Sequence, residues 1–276
     1  MKNKTVRKIV VSFLIGMTVF IFCVWQNNDI VISKYEYKNS KTSDSLNGYK
    51  IAQISDLHNK EFGKNQKKIL SKLKKEMPDL IVITGDLVDS NRTNINIAME
   101  FIQGAVKIAP TYYVTGNHEY WLSANDRDKL MNGMKQAGVT LLDNKAVILG
   151  NEDGNGFFLL GLSDKNLSDN TLTTICSNIA SNKLQILLAH EPQYFKAYCN
   201  AGVDLVLSGH AHGGQIRLPF IGGLIAPNQG IFPKYTSGTY LMDSTTMIVS
   251  RGLGNSIIPI RIFNRPEIVI VTLQKD

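Results

Sequence analysis

The chain holds five histidines, His58, His118, His190, His210 and His212, and each lies just after a short apolar run. Runs of about 4–8 apolar residues bounded by turn residues read as buried strands. They fall at 51–54, 79–84, 111–115, 184–189 and 203–207. A single histidine in such a place is more often a surface residue or a satisfied core residue than a ligand. Five out of five at strand ends is hard to obtain by scatter, and strands lying side by side would bring those ends to one place. Amphipathic helical patterns at 62–77, 94–108 and 125–137 separate the runs, with shorter ones near 172–181 and 192–200. Buried strands alternating with such helices predict an α/β layered domain. Further short runs at 139–142, 146–149 and 157–162, with a strand-rich tail over 240–273, favour two sheets over one parallel sheet. The expected fold is therefore a two-sheet β-sandwich flanked by helices, with ligands at the carboxyl ends of the strands.

Oxygen ligands stand at the same ends. Asp56 precedes His58 by two, Asp86 closes the run at 79–84, and Asn117 precedes His118. Gly85, Gly116 and Gly209 flank them, where the backbone must turn sharply or approach something closely. Mixed oxygen and nitrogen donors without thiolate suit Mn, Fe, Zn or Co. The set is too large for one tetrahedral zinc with an open position. It suits two divalent ions sharing a carboxylate, about 3.5–4 Å apart, as used for in-line displacement at phosphorus. The chain has no C-x-x-C, no phosphate-binding P-loop and no G-x-S-x-G elbow.

DLH at 56–58, GDLVD at 85–89, GNHE at 116–119, the lone His190 and GHAH at 209–212 together resemble the calcineurin-like metallophosphoesterases, in order and approximate spacing over 50–215. GHAHGGQ, with SRGLG at 250–254, resembles the membrane-anchored bacterial branch, some members of which hydrolyse the pyrophosphate of UDP-diacylglucosamine. The resemblance implies that Asp56, His58 and His212 bind one metal and that Asn117, His190 and His210 bind a second, with Asp86 as the bridge. His118 is left free of metal, to protonate a leaving oxygen or stabilise phosphoryl charge. Glu119 either couples to His118 or is a solvent-facing acid, with equal weight. In an extended GHAH segment, residues two apart point the same way, so its histidines would link the two metals.

The implied activity is hydrolysis of a phosphodiester, pyrophosphate or phosphomonoester by in-line attack of a metal-bridging hydroxide. The substrate would be a phosphorylated small molecule or a lipid-linked or envelope phosphate. Two alternatives are a nuclease of the same superfamily, which would want a basic channel or added cap, and a non-catalytic metal-binding envelope protein, which would not need His118. Arg217 and Arg251 are candidate phosphate clamps, although surface ion pairs are the commoner use of such residues.

The N-terminus stands apart. Lys2, Lys4, Arg7 and Lys8 precede a charge-free run of 20 residues over 9–28, with Trp25 near its end. About 20 apolar residues span a bilayer core as a helix, and Trp suits the interface. A cleaved signal peptide is the rival reading, but its apolar core is shorter and ends on small residues, whereas this run ends Phe-Cys-Val-Trp-Gln. The flanking cations favour a cytoplasmic N-terminus and an extracellular domain. The expected layout is a membrane anchor at 1–28, an edge strand and linker at 29–48, and the catalytic domain at 49–276. The formal net charge of +7 falls to about +3 without the four N-terminal cations, and no basic patch interleaved with aromatics follows, so nucleic acid is not a favoured partner. Cys176 and Cys199 could pair outside the cell, but buried free thiols are favoured.

Overall fold

The computed structural model describes residues 2–150, 155–166, 169–179, 182–255 and 259–276. The chain begins with α1 (Lys2–Asn28) and β1 (Val31–Asn39), followed by β2 (Lys50–Ile54), α2 (Lys67–Glu76), β3 (Leu80–Thr84), α3 (Ile95–Ala105) and β4 (Thr111–Val114). Next come α4 (Asn117–Trp121), α5 (Ala124–Gln136), β5 (Thr140–Leu141), β6 (Lys145–Gly150), β7 (Gly156–Leu162) and α6 (Asp169–Ser177). Then follow β8 (Gln185–Ala189), α7 (Phe195–Asn200) and β9 (Leu205–Ser208). Two small hairpins, β10 (Arg217–Leu218) with β11 (Gly222–Gly223) and β12 (Ile225–Ala226) with β13 (Gly230–Ile231), lead to β14 (Gly238–Met242), β15 (Thr245–Val249) and β16 (Glu267–Lys275).

Two six-stranded sheets form the sandwich, in the orders β1-β16-β2-β3-β4-β5 and β14-β15-β9-β8-β7-β6. In the first, β2, β3, β4 and β5 run parallel, and β16 enters antiparallel to β2. In the second, β7, β8, β9 and β15 are parallel and both edge strands are antiparallel. Ile51, Val82 and Val114 face Leu159, Ile186 and Leu207 across the inter-sheet core. Ile54, Ile81 and Ile83 pack on the other face of the first sheet against Ile69, Phe101 and Leu130 of α2, α3 and α5. Both faces of these strands are buried, which is why they read as unbroken apolar runs. Each fully buried aliphatic side chain contributes about 1.5–3 kcal/mol. The two-sheet expectation holds, and β1 is the expected edge strand.

Three local readings differ. The helix read over 62–77 begins as α-helix only at Lys67, because Asn65 and Gln66 adopt left-handed conformations (φ 53° and 56°). The strand read over 139–142 is two residues long. The helix read near 172–181 spans Asp169–Ser177, and residues 180–181 of that reading lie outside the described residues.

α1 is long and apolar enough to cross a membrane, with its apolar side chains almost wholly exposed. Only Asp29 and Ile30 separate it from β1. Its last turn is fastened to the domain. Asn27 Oδ1 accepts from Asn255 Nδ2 (2.9 Å) and the Arg261 N–H (3.2 Å), Gln26 Oε1 accepts from the Asn264 N–H (3.2 Å), and the Lys60 ammonium donates to the Asn27 carbonyl.

Candidate metal centre at the strand ends

The parallel strands deliver their carboxyl ends to one edge of the sandwich. Asp56 and His58 follow β2, Asp86 follows β3, Asn117 and His118 follow β4, His190 follows β8, and His210 and His212 follow β9. All eight side chains are buried. They come together through tight turns: Asp56, His58, Asp86, His210 and His212 have φ between 46° and 64°. A Cβ on Gly209 would lie 1.9 Å from Ser55 Oγ and 2.5 Å from Asp56 Oδ2, and one on Gly116 would lie 2.3 Å from Asp86 Oδ1. These two glycines let the loops approach the carboxylates.

The GHAH segment is not extended. Ala211 is right-handed helical between two left-handed histidines, and His212 opens a 3₁₀ turn. The curl, rather than strand alternation, aims both imidazoles inward. His118 follows β4 as read, and it lies in the five-residue helix α4.

The hydrogen-bond chemistry tests whether a cation fits. His190 Nδ1 lies 2.7 Å from the Thr84 carbonyl, which can only accept, so Nδ1 carries the ring proton. In the neutral ring Nε2 is then a bare lone pair. It faces Asn117 Oδ1 (3.1 Å), Asp86 Oδ2 (3.2 Å) and His210 Nδ1 (3.1 Å). On the other side of Asp86, His58 Nε2 lies 3.5 Å from Asp86 Oδ2 and 3.1 Å from His212 Nε2, which is 3.5 Å from Asp56 Oδ1. So many electron-pair donors held this close are suited to positive charge between them. Asp56, His58 and His212 have ligand atoms within 4.8 Å of one another, and so do Asp86, His190 and His210. A third such group, His58, Asp86 and His118, overlaps both, and Asp86 is common to two of the three.

Electrostatics agree with neutral imidazole donors. Burial holds His58 and His210 well below the ordinary histidine range and pushes His212 down to about 3. His190 is the exception: burial opposes its charged form, but Asp86 beside it prevails and raises its pKa well above the ordinary value. Burial also opposes ionisation of Asp86, yet His190 and His58 hold it well below the usual carboxylate range. Burial pushes Asp56 up to about 6.

His118 has a defined orientation. The Ser90 N–H donates to its Nδ1 (3.1 Å), and Ser90 Oγ is equally close. Nδ1 therefore accepts, and the proton of the neutral ring sits on Nε2. Asp89 Oδ1 lies 3.8 Å from Nδ1. Glu119 is neither coupled to His118 nor exposed to solvent. It is fully buried, and its carboxylate accepts from the N–H groups of Asp86 (2.9 Å), Leu87 (2.9 Å) and Gly116 (2.8 Å). Its oxygens tie the loop after β3 to the loop after β4, and burial, with Asp86 nearby, pushes its pKa up to about 8.

Sequence reasoning missed several supports. Glu191 Oε1 lies 3.5 Å from His210 Nε2 and accepts from Asn228 Nδ2 (2.9 Å). Asn264 Nδ2 donates to the carbonyls of His212 (2.7 Å) and Gln215 (3.0 Å). Arg261, wholly buried, donates to the carbonyls of Arg251 and Gly254 and holds the turn beside Asp56. Asp89 ends the GDLVD motif and Glu191 follows a ligand candidate, so both had a signal, whereas Asn264 and Arg261 had none. The candidate clamps are engaged elsewhere. Arg251 pairs with Glu267 (2.9 Å), and Arg217 donates to the Gly213 carbonyl (2.9 Å) and Thr236 (3.1 Å). Cys176 and Cys199 are free thiols.

Comparison with known proteins places this geometry. The family model for calcineurin-like phosphoesterases matches residues 49–214. The metallophosphoesterase YkuE of Bacillus subtilis is 31% identical over 249 residues, covering 89% of this chain and 86% of that protein. The phosphodiesterase YaeI of Escherichia coli is 27% identical, covering 83% and 84%. A transmembrane protein with a metallophosphoesterase domain from Danio rerio is 28% identical, covering 85% of this chain and 55% of its own length. The chain belongs to the calcineurin-like phosphoesterase family and is a metal-dependent hydrolase.

Proposed function

We propose that the protein hydrolyses a phosphodiester or pyrophosphate bond at a two-ion centre, with a lipid-linked or envelope phosphate as substrate. Asp56, His58 and His212 hold one divalent ion, Asn117, His190 and His210 hold the other, and Asp86 is shared. The observation that carries this reading is the position of Asp86 Oδ2, within 3.5 Å of His58 Nε2 and 3.2 Å of His190 Nε2. The ions, when bound, supply charge that polarises the phosphoryl oxygens and acidifies the attacking water. His118 Nε2–H donates to the leaving oxygen, with Ser90 fixing the ring by its contact at Nδ1. Glu119 positions the loops that carry Asp86 and Asn117. The similarity to the phosphodiesterase YaeI supports a diester over a monoester.

Segment 1–28 is the membrane anchor, 29–48 supplies the edge strand and linker, and 49–276 is the catalytic domain. The cations before the apolar run support a cytoplasmic N-terminus and a domain on the outer side. The short connection between α1 and β1 keeps the site near the bilayer, which supports a lipid-linked substrate.

The test is turnover of bis-p-nitrophenyl phosphate and p-nitrophenyl phosphate by the Mn²⁺-loaded protein. His118→Ala is expected to lower kcat by about 10²–10⁴ with metal content unchanged. A metal-loaded protein no faster than His118→Ala on either compound would sink the hydrolytic reading.

A further inference from the structure

The least accounted-for surface is apolar and lies between the metal centre and α1. Phe220 is fully exposed, Ile231 is 73% exposed and Phe232 65%. Ile221 is exposed beside Phe220 in the chain, and Ile260 and Phe263 are exposed in the turn that precedes β16. Phe220, Phe232 and Phe263 also have left-handed backbones, with φ of 66°, 54° and 51°. A bulky side chain in that region is an outlier, and glycine would take the conformation at no steric cost. Neither core packing nor turn geometry explains three aromatic rings held outward in this way.

Their connections lead to the anchor. The Phe263 ring packs edge-on against Phe22 of α1, with centroids 5.5 Å apart. Ile262, next to it, bridges Ile216, and its carbonyl accepts from the Arg217 N–H (3.0 Å) at the foot of the hairpin whose tip carries Phe220 and Ile221. Phe232 N–H donates to the Leu224 carbonyl (2.9 Å), extending the second hairpin by one pair, and Leu224 N–H donates to the Ile216 carbonyl (2.9 Å) at the foot of the first.

The depth can be stated. Phe22 precedes the end of α1, at Asn28, by six residues, or about 9 Å along the axis. A charge-free run of 20 residues only just fills a core of about 30 Å. With that run in the bilayer, Phe22 lies inside the outer boundary, and Phe263 lies beside it. The Arg265 guanidinium stacks over Trp25 (5.0 Å) and pairs with Asp29, marking the polar limit one turn higher.

We propose that the β10–β11 and β12–β13 hairpins and the 260–263 turn form an apolar rim that seats in the lipid interface beside α1, so that the metal centre opens at the membrane surface. The proposal rests on the reading of α1 as a bilayer span. The second hairpin and the 260–263 turn are tied to the site. Asn228, at the tip of the second, donates to Glu191 and lies 3.3 Å from His210 Nε2, while Asn264, next to Phe263, holds the His212 carbonyl. The rim thus fits a substrate whose phosphate stands at the headgroup level of a lipid.

Depth-dependent quenching tests the rim in the full-length chain, reconstituted in phosphatidylcholine–phosphatidylglycerol vesicles containing brominated lipid. In a Trp121→Phe background, Phe220→Trp and Phe232→Trp add reporters at the rim, Met77→Trp adds one at an exposed control position (71%) after α2, and the remaining native Trp25 reports on α1. The added emission at 220 and 232 is expected to be quenched more than that at 77 by about threefold or more. Quenching of Trp25, with positions 220 and 232 no more quenched than 77, would overturn the rim and leave the anchor standing. Absence of quenching at Trp25 would overturn the anchor reading and the rim with it. A blue shift of the position-220 emission that follows protein concentration in detergent, without lipid-dependent quenching, would make a second copy the occupant and overturn the lipid assignment.

Discussion

Five of the candidate ligands, Asp56, His58, Asp86, His210 and His212, occupy left-handed backbone regions that most residues avoid. Asp and His tolerate that region better than bulky residues do, and strain of about 1–3 kcal/mol per residue persists where surrounding structure enforces it. Here the enforcement includes Asp56 accepting from the His210 N–H (3.0 Å) and Asp86 accepting from the His118 N–H (3.0 Å). The proposed sharing of Asp86 makes the candidate ligand set separable by mutation. His58→Ala and His190→Ala are each expected to lower bound metal from about two ions per chain toward one, and Asp86→Ala to lower both positions, measured by mass spectrometry of metal content. An Asp86→Ala protein with the wild-type metal count would refute the bridging role. Glu119→Gln replaces one of two accepting oxygens with a donor that faces N–H groups. It is expected to destabilise the protein by about 1–3 kcal/mol, read as a lower urea midpoint. An unchanged midpoint would mean that the three backbone donors find other partners. The cluster of candidate ligands was legible because its chemistry is carried by residue type and spacing. The role of Glu119 was not, because two of its partners, Asp86 and Leu87, lie more than 30 residues away.

At the scale of elements, the long buried strands were legible and the small ones were not. β10 to β13 have two residues each, Gly222, Gly223 and Gly230 among them, and no apolar alternation can show in so short a span. α4 escaped for the same reason, since five residues give barely one helical repeat. The edge strand β1 does more than close the first sheet. It pairs in parallel with β16 along nine positions, and Tyr37 reaches across to donate to the Asp204 carbonyl (3.0 Å) just before β9 of the second sheet. Burial pushes the Tyr37 hydroxyl up to about 12, against about 10 in an unfolded chain. The native state therefore keeps a proton that the unfolded state loses between about pH 10 and 12, and stability falls as pH rises through that window. Burial likewise pushes Tyr49 up to about 12, so it adds to the same decline. Tyr37→Phe is expected to lower the urea midpoint at pH 8 through the lost hydrogen bond and to make the drop between pH 8 and pH 11 shallower. An equally steep drop would show that Tyr37 does not contribute to it.

For the whole molecule, α1 and the candidate metal centre are joined by a short chain of hydrogen bonds. Gln26 and Asn27 of α1 bond to Asn264 and Arg261, and Asn264 in turn bonds to the His212 carbonyl. Orientation in the membrane can be tested directly. Proteinase K added to spheroplasts of a bacterial host is expected to digest the domain, and full protection until lysis would place the domain on the cytoplasmic side. The sequence alone determined the strands, the alternation with helices, the ligand types and an apolar helix of membrane length. Those properties are set by local periodicity and side-chain chemistry, which a linear pattern records. Only the tertiary structure decided that GHAH curls, that Glu119 clamps two loops, that Arg261 lies buried beside Asp56, and that α1 ends against the loop holding His212. Each depends on contacts between distant segments, up to 238 positions apart for Gln26 and Asn264. Such contacts are fixed by how the sheets and loops pack, which no local run of residues encodes.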